Sequence, residues 1–354
     1  MVEAFGKERF PKIHHFNFEK TPSLAPIFAG DLDPMQILQA LSLTGSGSIG
    51  PDDLVFLDEI QECPHAITSL KYFAESLPLQ PVIAAGSHLG LARNESAFPV
   101  GKVEFLSLHP MSYFELLENL EPETHAFLLK EPLVAETPIQ EFYHRRALHW
   151  LRLYLCVGGM PDAVRAAREI QKRLVEGYHE DFTKHSGVIP RKKGLEGIEG
   201  PLTWLERSRL IIKCHMANRF EQPLKAYLFD VGILNAMLDV PVESLLLETL
   251  GSFKGYLAEN FVAQELYSSL DTPLTGWSEG ESEVEFAVSH GAGLCPVEVK
   301  ASSRSRRAKS LDALIARYHP ELSLKLTEQN RGYSKKRGIA TVPMYFAAKA
   351  LERS

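Results

Sequence analysis

The feature that most constrains this 354-residue chain is a run of four apolar residues followed directly by two acids. Residues 54–57 are typical of a strand buried on both faces of a parallel sheet, and Asp58 and Glu59 end it. A helix is predicted from Pro64, and a second buried strand over residues 81–85. This order predicts a βαβ unit whose acids lie at the carboxyl edge of the sheet, where α/β folds bind ligands.

The remainder of the chain predicts two further regions. Residues 111–181 are mainly helical in pattern, residues 185–201 are rich in Gly and Lys and predict a linker, and residues 204–212 predict another helix. We therefore expect an α/β protein in three parts. They are a parallel sheet at 1–110, a helical middle region at 111–239 and a compact α/β domain at 240–354.

The last of these parts contains a predicted hairpin that carries charged residues on one face. A helix over 255–270 precedes strands over 283–288 and 295–300, and a helix over 311–318 and a strand over 341–346 follow. If the hairpin turns at Gly291 and Ala292, Glu285 lies opposite Glu298, and the period of two places Lys300 on the same face. Glu259 occupies the same stripe of the preceding helix as Val262 and Leu266, so it should be paired or bound to a ligand.

Two interpretations of this hairpin stay open. Two carboxylates directly opposite each other repel unless a cation or a proton relieves them, which favours a metal site. The alternative is a solvated sheet face with an ordinary Glu–Lys pair. Basic residues at 304–309 and 335–337 suit a nucleic acid backbone, and a solvated helix start with a charged loop explains them equally well.

Charge and cysteine content limit the class of protein. The formal net charge of -7 indicates that any contact with nucleic acid uses a local patch rather than the whole surface. The four cysteines form no C-x-x-C pair and predict free, mostly buried thiols in a reducing compartment. We see no signal peptide and no apolar run long enough to span a bilayer, so we expect a cytoplasmic protein without membrane contact.

Most of the chain resembles the bacterial and archaeal AAA-family ATPases that carry a C-terminal domain of unknown function. The segments that carry the resemblance are residues 56–64, 70–73, 84–87, 98–103, 110–112 with Glu115, 157–161, 227–234 and 255–266, followed by the hairpin. The resemblance implies that residues 54–59 are a Walker B strand, in which Asp58 holds Mg²⁺ and Glu59 polarises the attacking water. It also implies that Ser87 senses the γ-phosphate of ATP.

The sequence departs from this family in two places. The phosphate-binding pattern G-x-x-x-x-G-K-[ST] does not occur, since Gly6-Lys7 is followed by Glu8 and Gly101-Lys102 by Val103. The chain looks as if it begins one helix after that loop, so we expect ATP binding to be impaired. The interval between residues 181 and 204 is also shorter than in the family.

The charged face of the hairpin resembles that of PD-(D/E)xK nucleases. In that arrangement Glu285 and Glu298, with Glu259 as a further ligand, would hold Mg²⁺, and Lys300 would assist catalysis. Three hypotheses follow for the chain: an AAA-type ATPase family protein with a nuclease-like, DNA-associated domain, a metal-dependent nuclease or nucleic-acid-binding module independent of ATP, or an inactive remnant or scaffold.

Overall fold

The chain divides into two structural units. The computed structural model describes residues 1–86, 101–165, 209–216, 225–238, 253–270, 273–279, 282–290, 293–301 and 309–351. Of these, residues up to 106 and Arg209 belong to the first unit, and the others belong to the second.

A three-stranded parallel sheet forms the centre of the first unit, with strand order β1-β2-β3. The strands are β1 (Ile13–Asn17), β2 (Leu54–Asp58) and β3 (Val82–Ala84). The helices are α1 (Val2–Arg9), α2 (Pro34–Leu41) and α3 (Pro64–Ser76). The predicted βαβ unit is thus confirmed, with β2 and β3 adjacent and parallel.

Local chemistry explains where these elements begin. Asp33 caps α2 by accepting a hydrogen bond from the Met35 amide at 3.1 Å, and Pro34 occupies the first helical position. Strand β2 is buried over residues 54–57, as predicted. The three residues of β3 are only half-buried, so the prediction that this strand is buried on both faces was wrong. Within the described residues β3 is the edge of the sheet, which accounts for its exposure.

The second unit starts with helices and continues with two sheets. Its helices are α4 (Tyr113–Leu120), α5 (Pro122–Lys130), α6 (Glu141–Val157), α7 (Val231–Leu238), α8 (Phe253–Leu270) and α9 (Lys309–Tyr318). Its strands are β4 (Ile211–Met216), β5 (Lys225–Leu228), β6 (Leu274–Glu279), β7 (Ser282–Val284), β8 (Phe286–His290), β9 (Gly293–Lys300), β10 (Ser323–Thr327), β11 (Gly332–Ser334) and β12 (Ile339–Pro343).

The two sheets have orders β5-β4-β6-β7 and β11-β12-β10-β9-β8. Strands β9, β10 and β12 run parallel, and β8 returns antiparallel to β9 through the hairpin. One hydrophobic core joins the early helices to these sheets, because Tyr113 and Tyr154 belong to the same buried cluster as Phe261, Phe286 and Tyr345. The overall α/β class is as expected.

Three predicted elements differ from the structure. Ile211 and Ile212 begin strand β4 rather than end a helix, since they pair with Leu228 and Tyr227 on β5. The strand predicted over 283–288 is interrupted at Glu285, between β7 and β8. The final strand ends at Pro343, and a short 3-10 helix follows (Met344–Phe346).

Several expectations remain predictions. The domain boundaries after residues 110 and 239 are two of these, and the linker at 185–201 lies outside the described residues. All four cysteines are free and buried, as predicted. Among the described residues, no helix is both long and apolar enough to cross a membrane.

Candidate functional site

Asp58 and Glu59 lie at the carboxyl edge of the parallel sheet in the first unit. Asp58 is the last residue of β2, and Glu59 leaves the strand in the left-handed conformation, with φ of 51°. The Asp58 carboxylate accepts hydrogen bonds from Asn17 at 2.8 Å and, at 3.0 Å, from Nε2 of His15. Glu59 accepts one from Gln61 at 2.6 Å.

The partners of Asp58 keep it ionised. Burial by itself raises the pKa of the Asp58 carboxyl, but the hydrogen bonds from His15 and Asn17 outweigh it and hold the pKa below the ordinary value. A ligand at this edge would therefore meet a carboxylate that already has protein donors. Ser87, the third residue that the resemblance implied here, lies outside the described residues.

In the second unit, the register of the β8–β9 hairpin brings Glu285 to Glu298. Phe286 pairs with Val297 and His290 with Gly293, which is the register that the predicted turn requires. The ladder ends at this first pair; Glu285 directly precedes Phe286, and Glu298 directly follows Val297. The Glu285 side chain folds back so that Oε2 accepts a hydrogen bond from the Val299 amide at 3.0 Å.

Lys300 lies between the two carboxylates. Its ammonium is 2.7 Å from Oε1 of Glu298 and 3.8 Å from Oε1 of Glu285. Glu285 is 8% exposed and Glu298 is 1% exposed. Two acids at this depth exclude the alternative of a solvated sheet face for these two residues.

The environment of this pair differs from that of a surface ion pair. Burial raises the pKa of the Glu285 carboxyl to about 7, despite the opposing charge of Lys300 and the Val299 amide. Burial alone would lower the pKa of Lys300, but the charges of Glu285 and Glu298 raise it above its usual value. Within the described part of the chain, the second oxygen of Glu298 is buried and has no hydrogen-bond partner. Such an oxygen is costly unless a proton or a cation reaches it.

Glu259 lies close to this pair but is already engaged. Its Oε2 accepts hydrogen bonds from Lys225 at 3.2 Å and from the Tyr227 hydroxyl at 3.4 Å. Lys225 also forms an ion pair with Glu283 on β7. The sequence predicted that Glu259 would be paired or ligand-bound, and the described structure pairs it.

A third lysine borders the site, and sequence reasoning missed it. Lys325 on β10 pairs in register with Glu298 on the parallel strand β9, so the two side chains share a face of the sheet. Lys325 is 7% exposed, and burial lowers its pKa although the charge of Glu298 opposes this. A single lysine between Leu324 and Leu326 was the available signal.

Gly276 on β6 fixes the backbone next to the site. A Cβ atom at this position would lie 2.6 Å from the carbonyl oxygen of Glu285, which is closer than real Cβ contacts. Only glycine therefore lets β6 approach Glu285 in this way.

Four carboxylates thus face three ammonium groups around the hairpin, which leaves the cluster negative when every group is ionised. Among the described residues, no three His, Cys, Asp or Glu side chains converge closely enough to hold a metal ion as they stand. Two carboxylates suffice for Mg²⁺, however, because that ion usually keeps several waters and binds through one or two carboxylates. Glu285 and Glu298 provide such a pair of oxygen donors, and the unpartnered oxygen of Glu298 supports the fit.

The predicted basic patch is partly neutralised. Lys335 forms an ion pair with Glu136 at 2.5 Å, and Arg337 forms one with Asp312. Lys309 and Lys336 are exposed, and residues 304–308 lie outside the described part of the chain.

Comparison with known proteins identifies a domain at each end of the chain. Residues 1–117 match the family described as an AAA domain, and residues 254–346 match a domain of unknown function (DUF4143). No curated protein matches the chain, and no solved structure matches it. The chain therefore combines an N-terminal AAA domain with a C-terminal domain of unknown function.

Proposed function

We propose that the second unit contains a nuclease-like site, which uses a divalent cation to hydrolyse phosphodiesters. The observation that carries this proposal is the buried Glu298, which shares Lys300 with Glu285 and has one unpartnered oxygen. Glu285 and Glu298 would hold the ion. When bound, a divalent cation supplies positive charge that stabilises the charge developing on the phosphoryl oxygens.

The residues of the chain have distinct parts in this proposal. Lys300 is 2.7 Å from Glu298 without the ion, and its ammonium would turn to a phosphoryl oxygen once the carboxylates have another cation. The Val299 amide keeps Glu285 directed into the site. Gly276 lets β6 hold the Glu285 backbone in place.

Nucleic acid is the proposed substrate class. The basic residues at 304–309 and 335–337 would contact its phosphate backbone, and Lys309 and Lys336 are exposed on the described surface. The ion pairs of Lys335 and Arg337 reduce what those two residues would add.

The test is cleavage of a fluorescently labelled DNA oligonucleotide by the full chain with Mn²⁺ or Mg²⁺. Glu298→Gln and Lys300→Met should each reduce cleavage at least 100-fold, while Glu321→Gln, a change of the same type at an exposed position, should leave it unchanged. Equal cleavage by all four proteins would assign the activity to a contaminant and reject the proposal. No cleavage of DNA or RNA by the unsubstituted chain would favour an inactive scaffold.

A second proposal concerns the AAA domain. Asp58 and Glu59 at the sheet edge support a Mg²⁺–nucleotide site, but they position a metal and water rather than cradle phosphates. The sequence lacks the glycine-rich pattern that supplies the cradle. We therefore propose that this chain binds ATP–Mg²⁺ weakly and that the phosphodiester site works without ATP hydrolysis.

A further inference from the structure

Two side chains of β5 bind the same oxygen of Glu259. We propose that Lys225 and Tyr227 are positioning residues, which hold the Glu259 carboxylate as a third acidic group of the phosphodiester site. This inference rests on the proposed function, because it assigns a role toward the divalent cation of that site.

The geometry of β5 favours this role. Lys225 and Tyr227 are two residues apart on one strand, so both project from the same face. Both donate to Oε2 of Glu259, at 3.2 and 3.4 Å. No described residue hydrogen-bonds the other oxygen, Oε1, so one oxygen is anchored while the other is available.

The surrounding contacts make the anchor firm. Asn260, the neighbour of Glu259 on α8, accepts a hydrogen bond from the Leu228 amide at 2.8 Å and donates one to the Leu228 carbonyl at 3.0 Å. Tyr227 is 8% exposed and packs in the main core of the unit. These hydrogen bonds fix strand β5 to helix α8 next to Glu259. Lys225 and Tyr227 are therefore held more rigidly than the freely moving side chains of a surface ion pair.

Glu259 is also near enough to act on the buried pair. Lys225, which donates to Glu259, also forms an ion pair with Glu283, two residues before Glu285. The ring of Tyr227 lies 5.5 Å from that of Phe286, the residue after Glu285. In the proposed site, the free oxygen of Glu259 would add a third carboxylate to the two that share Lys300. Lys225 then has two carboxylate partners, Glu259 and Glu283, and the second keeps its ammonium in place.

Removal of Lys225 should change the affinity for a divalent cation in opposite directions, depending on whether Lys225 acts only through its charge or positions Glu259. If Lys225 is only a counter-ion, removing its positive charge should strengthen the binding of a divalent cation. If Lys225 positions Glu259, removing it should weaken that binding, because an unanchored carboxylate must be ordered again on binding. Loss of groups that orient metal ligands typically costs 10- to 100-fold in affinity.

The experiment is a titration of the full chain with Mn²⁺, in which electron paramagnetic resonance measures the free ion. We expect Lys225→Met to weaken Mn²⁺ binding about 10-fold, Tyr227→Phe to weaken it less, and Lys225→Arg to restore most of the affinity. Lys130→Met removes the same charge at an exposed position and should change nothing. In a Glu259→Gln background, Lys225→Met should weaken binding no further, because the group that it positions is already lost.

Tighter or unchanged Mn²⁺ binding by Lys225→Met would overturn the inference while leaving the proposed site intact. A native chain that binds no Mn²⁺ would instead overturn the proposed function, and the inference with it. Circular dichroism establishes that each variant is folded at the temperature of the titration. If Lys225→Met is not, Tyr227→Phe decides, since it removes a single oxygen atom, and unchanged Mn²⁺ affinity in that variant would reject the positioning pair.

Discussion

Asp58 and Glu298 are both carboxylates at or near the end of a buried strand, yet their surroundings differ. Asp58 is partly exposed and accepts hydrogen bonds from two neutral or ionisable donors, His15 and Asn17, so its pKa is lowered. Glu298 is buried beside a second carboxyl, Glu285, whose pKa burial raises to about 7. One ammonium serves both.

The two sites differ in how many of the carboxylate oxygens have hydrogen-bond donors or cations among the described residues. Asp58 has donors enough to remain ionised without a ligand, so its carboxylate by itself does not imply a bound cation. Glu285 and Glu298 belong to a cluster in which four carboxylates face three ammonium groups, and one oxygen of Glu298 lacks a partner in the described part of the chain. Buried carboxylates of this kind are most stable with a proton or a cation nearby.

The largest expected effect on stability comes from placing an acid in the apolar core of the first unit. Leu57 is completely buried in the core of that unit, among apolar side chains. Leu57→Asp should lower the free energy of unfolding by about 4–5 kcal/mol and abolish soluble expression, because a buried charge without a partner is costly.

Leu57→Met is the matched control, since it keeps the volume and polarity of the side chain and should cost less than about 1.5 kcal/mol. Soluble yield and thermal melting of the two variants provide the comparison. A folded Leu57→Asp protein would show that acids are as well tolerated inside this unit as in the second.

The second unit contains another buried acid, and no ammonium group among the described residues pairs with it. Glu265 on α8 is fully buried; one oxygen accepts from the Tyr113 amide at 2.9 Å, and the other has no partner among the described residues. Burial raises its pKa to about 8, although the Tyr113 amide opposes this. At neutral pH the folded protein therefore keeps a proton that the unfolded chain releases.

The pH dependence follows from that difference. The folded state binds more protons than the unfolded state between the ordinary pKa of 4.5 and the raised one of about 8, so this group makes the protein less stable as the pH rises through that range. Glu265→Gln should increase the free energy of unfolding by about 3 kcal/mol at pH 7 and by little at pH 4. Urea unfolding at both pH values measures this, and an equal effect at pH 4 and 7 would refute the assignment.

Removing one side-chain partner of the acid in each unit should have a smaller effect on stability, and a different one in the two units. Lys300→Met leaves two buried carboxylates without their ammonium, and we expect a loss of about 2 kcal/mol at pH 8, reduced from the usual cost because Lys300 is partly exposed. The loss should shrink at pH 5, where Glu285 takes up a proton.

His15→Leu is the corresponding change in the first unit. It should cost less than about 1 kcal/mol, because Asn17 still donates to Asp58 and water reaches the carboxylate. Thermal melting of both variants in the absence of divalent cations tests the contrast. Equal losses would mean that the two carboxylate environments are alike.

Much of this comparison could be predicted from the sequence. The run at 54–57 is apolar enough to specify a buried strand, and the turn that the sequence predicts at 291–292 gives the register that β8 and β9 have in the structure. Strand parity then places Lys300 on the same face as Glu298. These features are local, so residues close in sequence determine them.

The remainder depends on contacts between distant segments. Tyr227 meets Glu259 across 32 residues, and Lys325 meets Glu298 through a parallel pairing that no turn specifies. Glu265 lies on α8, where residues 257–266 are nearly all buried, so helical periodicity distinguishes no solvent face there. Ile211 and Ile212 likewise become strand because β5 pairs with them.

The smallest expected effect is that of Asp58→Ala on nucleotide binding. A fluorescent ATP analogue with Mg²⁺ should bind the chain with an affinity no better than about 1 mM, and Asp58→Ala should scarcely change it, because the phosphate-cradling pattern is absent from the sequence. Micromolar affinity that Asp58→Ala abolishes would show that the first unit is the functional site.

In the proposed function, Glu285 and Glu298 bind a divalent cation. The most direct test is thermal melting of the full chain at pH 8 with and without Mn²⁺, for the native sequence, Glu298→Gln and the exposed control Glu321→Gln. We predict a midpoint that rises by several degrees with millimolar Mn²⁺ for the native and control proteins and does not rise for Glu298→Gln. An equal rise in all three proteins, or no rise in any, would contradict the claim.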